Sequence, residues 1–265
     1  MIPISVVIIS KNVGYVIEKT FISLQGLTDD IILVDSGSTD NTIYIAEKFN
    51  AKVIHTNWEG YGPNKNKGIS YAKYNWILSL DADELIDDQL YQSLSNTLFF
   101  NENIAYKFKF KVFMGDILLK YGQPGNVKKI RLFNKKKSCW NDDLIHEGLM
   151  MPDEIKIETI KGNILHYSYK DLEHCMMKTN AYTSLMAQQM FLHNRKYSFV
   201  KLYVNPIYAF IRSYIFKLGF LDGFWGFTYA SLNSFYCYMK YAKLKELKNR
   251  EIVEIAIEEK YRASK

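Results

Sequence analysis

Within its first eighty residues the chain alternates four short apolar runs rich in β-branched residues with three stretches of helical spacing. The runs are Ile4–Ile9 (ISVVII), Ile31–Val34 (IILV), Val53–His55 (VIH) and Trp76–Leu80 (WILSL). Helical patterns fill the gaps at about Tyr15–Leu24, from a cap at Ser38 or Asp40 to about Phe49, and at Tyr61–Tyr74. Strands that are apolar throughout, rather than on alternate residues, need cover on both faces, and intervening helices supply it. The chain is therefore expected to open with a parallel α/β sheet. Such sheets take ligands outside the carboxyl ends of their strands. Asn12, Asp35 and the Asp81/Asp83 pair each fall just past a strand end, so one sheet edge is expected to collect the polar chemistry.

After a helix expected at about Asp87–Phe99 the pattern changes. Ala105–Met114 alternates with period two, as a half-exposed strand does, and Lys128–Asn134 and Lys156–Tyr167 are strand-like. A helix follows at Asp171–His193, then two or more helices over Val200–Leu247, broken around the glycines of GFLDGFWG (219–226). The expected organisation is an α/β domain over 1–168, divided into halves 1–100 and 101–168, and a helical region over 169–265. Hydrophobic residues at 48% and charged ones at 23% describe a folded chain and exclude a disordered one. Cys139, Cys175 and Cys237 are scattered without a CxxC pair, which argues against a disulfide framework or zinc site and for a reducing compartment. The N-terminus lacks a basic region and cleavage site and reads as a strand, not a signal peptide. Of the net charge of +6, the C-terminal half carries a local excess: ten Lys and Arg against two acids between Arg195 and Arg250. Set among aromatics, that excess suits an anionic membrane surface; a solvated basic face is the alternative. Leu218–Met239 is long enough to span a bilayer, but Asp222, three glycines and Asn233 interrupt it, which favours an interfacial arrangement. No nucleic-acid module is evident, and no nucleic-acid partner is expected.

The end of the fourth run, SLDADE, places Asp81, Asp83 and Glu84 beside a core, where a carboxylate needs a cation, water or a hydrogen-bond donor. Two residues apart in extended chain, Asp81 and Asp83 share a face and can converge on Mg²⁺ or Mn²⁺ carrying a diphosphate. Alone, the same spacing also describes a turn or helix cap. In VDSGSTDNT, Asp35 can accept from a base or ribose and Gly37 permits a tight turn over a ligand; a simple capped loop is the alternative. Lys65 and Lys67 in GYGPNKNKG add cations near a helix start, without the spacing of a P-loop. In the basic run from Lys128 to Lys137, Arg131 points opposite Lys128 if the segment is a strand. One face would address diphosphate or a phosphorylated acceptor, and Lys135–Lys137 reads as a turn. His166, Cys175, Met176 and Met177 read as core or interface residues.

In their order and spacing, ISVVIISKN, VDSGSTDNT, GPNKNKG and SLDADE resemble glycosyltransferase family 2, over roughly the first ninety residues. KKIRLFNK, LIHEGL, ILHYSYKD and KLGFLDGFWGF resemble a branch that includes bacterial lipopolysaccharide inner-core β-1,4-glucosyltransferases. The resemblance implies a GT-A, Rossmann-like, mainly parallel α/β sheet flanked by helices, with a helical C-terminal extension. It implies that Ile8, Ser10, Asn12 and Asp35 line a nucleoside pocket, with Lys65 near the nucleotide and Asp81 at the ribose or a water on the metal. Asp83 would ligate Mg²⁺ or Mn²⁺, and His146 would bind that metal or the leaving phosphate. Glu147 would be the general base of an inverting transfer, with Asp142 and Asp143 as rivals. The donor would be a UDP-sugar, UDP-glucose first. The acceptor would be a lipopolysaccharide-core or similar surface glycolipid, reached by a peripheral enzyme on the cytoplasmic face of the inner membrane. Other readings keep the donor site but serve capsule, exopolysaccharide or protein glycosylation, or make the chain a nucleotide-binding scaffold without turnover.

Overall fold

In a computed structural model the four apolar runs form four parallel strands, β1 (Ile4–Ser10), β2 (Ile31–Asp35), β3 (Lys52–His55) and β4 (Trp76–Asp81), ordered β3–β2–β1–β4. Residues 1–142 and 148–263 are described, with side chains through Arg250. The connecting helices are α1 (Ile17–Leu24), α2 (Thr42–Lys48) and α3 (Tyr61–Ser70). Every residue of β1 is buried, because successive side chains feed opposite cores. Ile4, Val6 and Ile8 pack with Ile17, Phe21 and Leu24 of α1, while Val7 and Ile9 pack with Ile69 of α3.

Beyond β4 come antiparallel pairings, and with them the half-exposed strand that the period-two pattern led one to expect. β5 (Glu84–Ile86), α4 (Asp88–Ser95), β6 (Ile104–Met114), β7 (Ile117–Leu119), β8 (Val127–Asn134) and β11 (Lys156–Tyr169) extend it as β4–β8–β6–β11–β5, with β7 on β6. A separate small ribbon pairs β9 (Cys139–Trp140) with β10 (Leu149–Met150). β5 follows β4 after only Ala82 and Asp83, yet it pairs with β11 at the end of that order, Glu84 opposite His166. Two residues span about 10 Å, half the width that four flat inter-strand steps would need, so the sheet curls back on itself. That curl carries the acids at the end of β4 toward β8 and β11. α4 stops at Ser95, short of the expected Phe99, because tertiary packing claims the continuation: Phe99 lies 5.3 Å from the Trp76 ring, and the indole N–H donates to its carbonyl at 2.9 Å.

The described chain divides into two units, one of Met1–Leu118 with Pro124–Ser168, the other of Leu119–Gln123 with the residues from Tyr169 onward. The second is helical: α5 (Leu172–Leu192), α6 (Asn205–Ile211) between two π-helical turns, a short 3-10 turn at Gly219–Asp222, and α7 (Gly223–Ala263). The break expected near Gly219 is present, with Leu218 in the left-handed region at φ 58°. α7 runs well past Leu247. Within this unit α5 and α7 are stapled by the Lys243 ammonium, which donates to the Asn180 carbonyl, Asn180 Oδ1, Thr183 Oγ1 and Ser184 Oγ at 2.7–2.9 Å.

In the first unit, α3 sits against the sheet because residue 68 has no side chain. A Cβ on Gly68 would fall 2.5 Å from Val7 Cγ1 and 2.8 Å from Val34 Cγ2. Gly68→Ala is expected to cost about 1–3 kcal/mol as α3 is pushed off the strands. A urea-unfolding midpoint unchanged from wild type would contradict this packing.

Candidate active site

Three clusters stand along the carboxyl edge of the parallel strands, where the register sets Ser10 beside Asp35 and Ile9 beside Asp81. The first is built on Asp35, which is fully buried at the end of β2. Its Oδ1 accepts from Ser10 Oγ at 2.9 Å and from Ser38 Oγ; its Oδ2 accepts from the Gly37 and Ser38 amides at 3.0 and 2.8 Å. Four donors fill a carboxylate's acceptor positions, so here Asp35 organises the 36–38 loop rather than facing outward. Asn12, left-handed at φ 53°, donates its amide to Ser38 Oγ at 2.8 Å and accepts from the Thr39 amide at 2.8 Å. Asn tolerates that conformation better than most residues. Gly37 has φ 85°, and a Cβ there would meet nothing within 4 Å, so the loop is open above it. Ile8 lies wholly in the core beneath this edge.

The second cluster answers the charge problem of the β4 end. Asp81 Oδ1 pairs with Lys65 Nζ at 2.9 Å and Asp81 Oδ2 with Arg131 Nη2 at 2.8 Å, while the same guanidinium nitrogen pairs with Glu84 Oε1. Two cations and two carboxylates thus balance. Of the four side chains only Asp81, 29% exposed, reaches solvent; Lys65, Arg131 and Glu84 are at 1%, 3% and 0%. Lys65 is aimed inward by α3 and lies 4.8 Å above the Trp140 ring. Asn66, the next residue, pairs with the Trp140 backbone as a strand would, accepting its amide at 2.9 Å and donating to its carbonyl at 2.8 Å. Arg131 is the extra residue of a β-bulge: Tyr106 pairs with Leu132 but Lys107 with Ile130. The bulge re-aims the guanidinium under the sheet edge.

The carboxyls respond in opposite directions. Burial by itself would raise Asp81, but Lys65 and Arg131 outweigh it and hold that carboxyl well below 3.8. For Glu84, burial dominates; Arg131 offsets part of it, Asp81 adds to it, and the carboxyl is raised above 4.5. Glu84 Oε2 also accepts the Asp81 amide at 3.1 Å, closing the turn.

Asp83 forms the third cluster with His166 on β11, Oδ1 to Nε2 at 3.4 Å, both partly accessible. The turn is pinned from both sides: Thr20 Oγ1 donates to the Ala82 carbonyl at 2.7 Å and the Tyr167 amide to the Asp83 carbonyl at 2.9 Å. A carboxylate oxygen suits Mg²⁺ or Mn²⁺, an imidazole nitrogen is accepted more readily by Mn²⁺ than by the harder Mg²⁺, and neighbouring ligands of a small octahedral ion stand about 3 Å apart. The pair fits such an ion with a slight contraction. Among the described residues no three His, Cys, Asp or Glu gather into a site by themselves. Diphosphate oxygens and water would complete the shell, as is usual for Mg²⁺.

Of the residues singled out in the sequence, Ser10, Asn12 and Asp35 meet in the first cluster, and Lys65, Asp81 and Arg131 in the second. Asp83 pairs with His166. Asp142 is described and exposed; Asp143, His146 and Glu147 lie outside the described residues. Sequence reasoning read His166 as a core or interface residue and named Glu84 only as an acid in need of a partner. The signal available for both was cross-strand register, which puts Glu84 opposite His166.

Because its folded carboxyl is depressed, Asp81 contributes stability in full above 3.8, the ordinary value, and loses it as pH falls from there through the depressed one. Asp81→Asn is therefore expected to flatten the acid limb of a urea-midpoint-against-pH curve below 3.8. Parallel acid limbs for wild type and variant would contradict the pairing.

Residues 5–150 match the family profile described as Glycosyl transferase family 2. An uncharacterized glycosyltransferase of Rickettsia typhi is 31% identical over 94% of this chain and 90% of its own. The lipopolysaccharide core biosynthesis glycosyltransferase LpsC of Rhizobium meliloti is 28% identical over 97% of this chain and 98% of its own. Among solved structures, glucosyl-3-phosphoglycerate synthase from Mycobacterium tuberculosis, with Mn²⁺, UDP and glucosyl-3-phosphoglycerate, is 27% identical over 42% of this chain and 43% of its own, at a TM-score of 0.33.

Proposed function

This chain belongs to glycosyl transferase family 2 and is a glycosyltransferase, and we propose that it moves a hexose, glucose first, from a UDP-sugar to a lipopolysaccharide-core or similar surface glycolipid, with inversion. The observation that carries the donor side is the division of labour among the acids of the β4 end. Asp81 and Glu84 are paired with Lys65 and Arg131, while Asp83 Oδ1 and His166 Nε2, 3.4 Å apart, are placed to hold a divalent ion. The acceptor class rests on similarity to LpsC along nearly the whole of both chains.

Under this reading the nucleoside lies against the loop that Asp35 organises, beside Asn12 and above the open side of Gly37. Asp83 and His166 hold Mg²⁺ or Mn²⁺, which when bound offsets the charge that develops on the leaving diphosphate. Lys65 and Arg131 keep Asp81 ionised at the edge, where its exposed oxygen accepts from the ribose. A carboxylate, Glu147 by family resemblance with Asp142 and Asp143 as rivals, takes the acceptor hydroxyl proton as that oxygen attacks the anomeric carbon. A glycolipid acceptor sets the enzyme at the cytoplasmic face of the inner membrane, as a peripheral protein.

UDP release from a panel of UDP-sugars with Mn²⁺, Mg²⁺ or EDTA tests the proposal. One donor is expected to give release, lost in EDTA and lowered about a hundredfold or more by Asp83→Ala. Glu147→Gln is expected to keep UDP binding and lower transfer by about 10²–10⁴. Absence of UDP binding in the wild type would refute the donor site, and binding with turnover indifferent to Glu147→Gln would refute the base.

A further inference from the structure

The helical unit carries an apolar surface that its own fold leaves uncovered. The π-helical turns Val200–Val204 and Arg212–Phe216 flank α6, so residues 200–216 run as one continuous helical rod. One side of the rod packs on α7: Phe210 meets Phe227 at 5.6 Å, and Ser234 Oγ donates to the Pro206 carbonyl at 2.8 Å. The outer side presents the pairs Tyr203–Val204, Ile207–Tyr208 and Ile215–Phe216, each residue between 45% and 70% exposed. In an unbroken α-helix the twelve residues from the first pair to the last would rotate it about 120° off the face; a π turn, at about 4.4 residues, cuts the drift to about 50°. The π turn therefore keeps the apolar pairs on one broad face. Past the rod the left-handed Leu218 and the 3-10 turn present Leu221 and Phe224, 53% and 66% exposed. A groove of about 360 Å³ between rod and α7, lined by Tyr203, Phe210 and Phe235 among others, opens beside the same face.

The surrounding charge selects the occupant. Between Arg195 and Phe227 there are five basic residues and one acid, Asp222, whose carboxylate accepts the Tyr121 amide at 2.8 Å. Arg195, Lys196 and Arg212 are exposed. Aromatic and branched apolar side chains flanked by arginine and lysine match the boundary between anionic headgroups and acyl chains. Among the described residues no helix is long and apolar enough to cross a membrane, so the match is to lying on the bilayer.

We propose that this face, from Tyr203 to Phe224, inserts into the headgroup–acyl boundary of an anionic membrane while Arg195, Lys196 and Arg212 engage lipid phosphates. The inference deepens the membrane-facing part of the proposed function and rests on it for the acceptor alone; the donor site plays no part.

The test is co-sedimentation of the full chain with vesicles of phosphatidylcholine alone or with about 30 mol% phosphatidylglycerol. Wild type is expected to bind the anionic vesicles preferentially, and less so as salt rises from about 50 to 500 mM. The triple variant Ile207→Ser, Phe216→Ser, Phe224→Ser is expected to bind about thirtyfold more weakly with UDP release unchanged. Phe216→Trp, read against the parent chain, is expected to add fluorescence that brominated lipid quenches. Three results would overturn the proposal: wild type left in the supernatant with both vesicle types, triple-variant binding equal to wild type, or a wild-type dimer that the triple variant dissociates, which would give the face to a second copy. Each is read independently of UDP binding, so failure here and failure of the donor site are distinguishable.

Discussion

The Lys65–Asp81–Arg131–Glu84 network is the constraint from which the rest of the site follows. Removing either cation would leave a carboxylate uncompensated beside a core, a penalty of several kcal/mol, whereas the balanced set is tolerable because every charge has a partner within hydrogen-bonding distance. The network also fixes distances between elements. Lys65 ties α3 to β4, Arg131 ties β8 to the same strand end, and Glu84 starts β5. This edge of the sheet is thus assembled from chain positions far apart in sequence by the need to neutralise two acids.

That assembly depends on two backbone irregularities. The two-residue link between β4 and β5 forces the sheet to curl, and the curl brings β11, with His166, to Asp83. The bulge at Arg131 turns its guanidinium under the sheet edge, where regular alternation would leave it paired across to β6. Neither feature adds a side chain to this edge; each aims one, His166 or Arg131, that a flat, regular sheet would point elsewhere.

How much of this was legible in the sequence depends on whether a property is local. The parallel half was, because ISVVII, IILV and WILSL are buried on both faces and say so residue by residue, while the short edge strand β3 is only half-buried. The loop chemistry of Asp35, Ser38 and Asn12 was legible in part: turn residues marked the place, but not that four donors would saturate the Asp35 carboxylate. The charge pairing was not, since Lys65 and Arg131 looked like cations for a phosphate and only the register shows both turned onto Asp81. His166 was passed over because its meaning depends on a strand pairing with Glu84 eighty-two residues away. The early end of α4 was hidden for the same reason, Phe99 being drawn onto Trp76 by packing that local propensity does not contain.

The central claim is that the two aspartates of SLDADE do different work: Asp81 is held by protein cations, and Asp83 with His166 is proposed to hold the metal. Calorimetric titration of UDP, with and without Mn²⁺, into wild type, Asp81→Asn and Asp83→Asn separates them. The account predicts that Asp83→Asn abolishes the enhancement of UDP affinity by Mn²⁺, while Asp81→Asn weakens UDP binding but keeps that enhancement. The reverse, an enhancement lost with Asp81 and kept without Asp83, would contradict it.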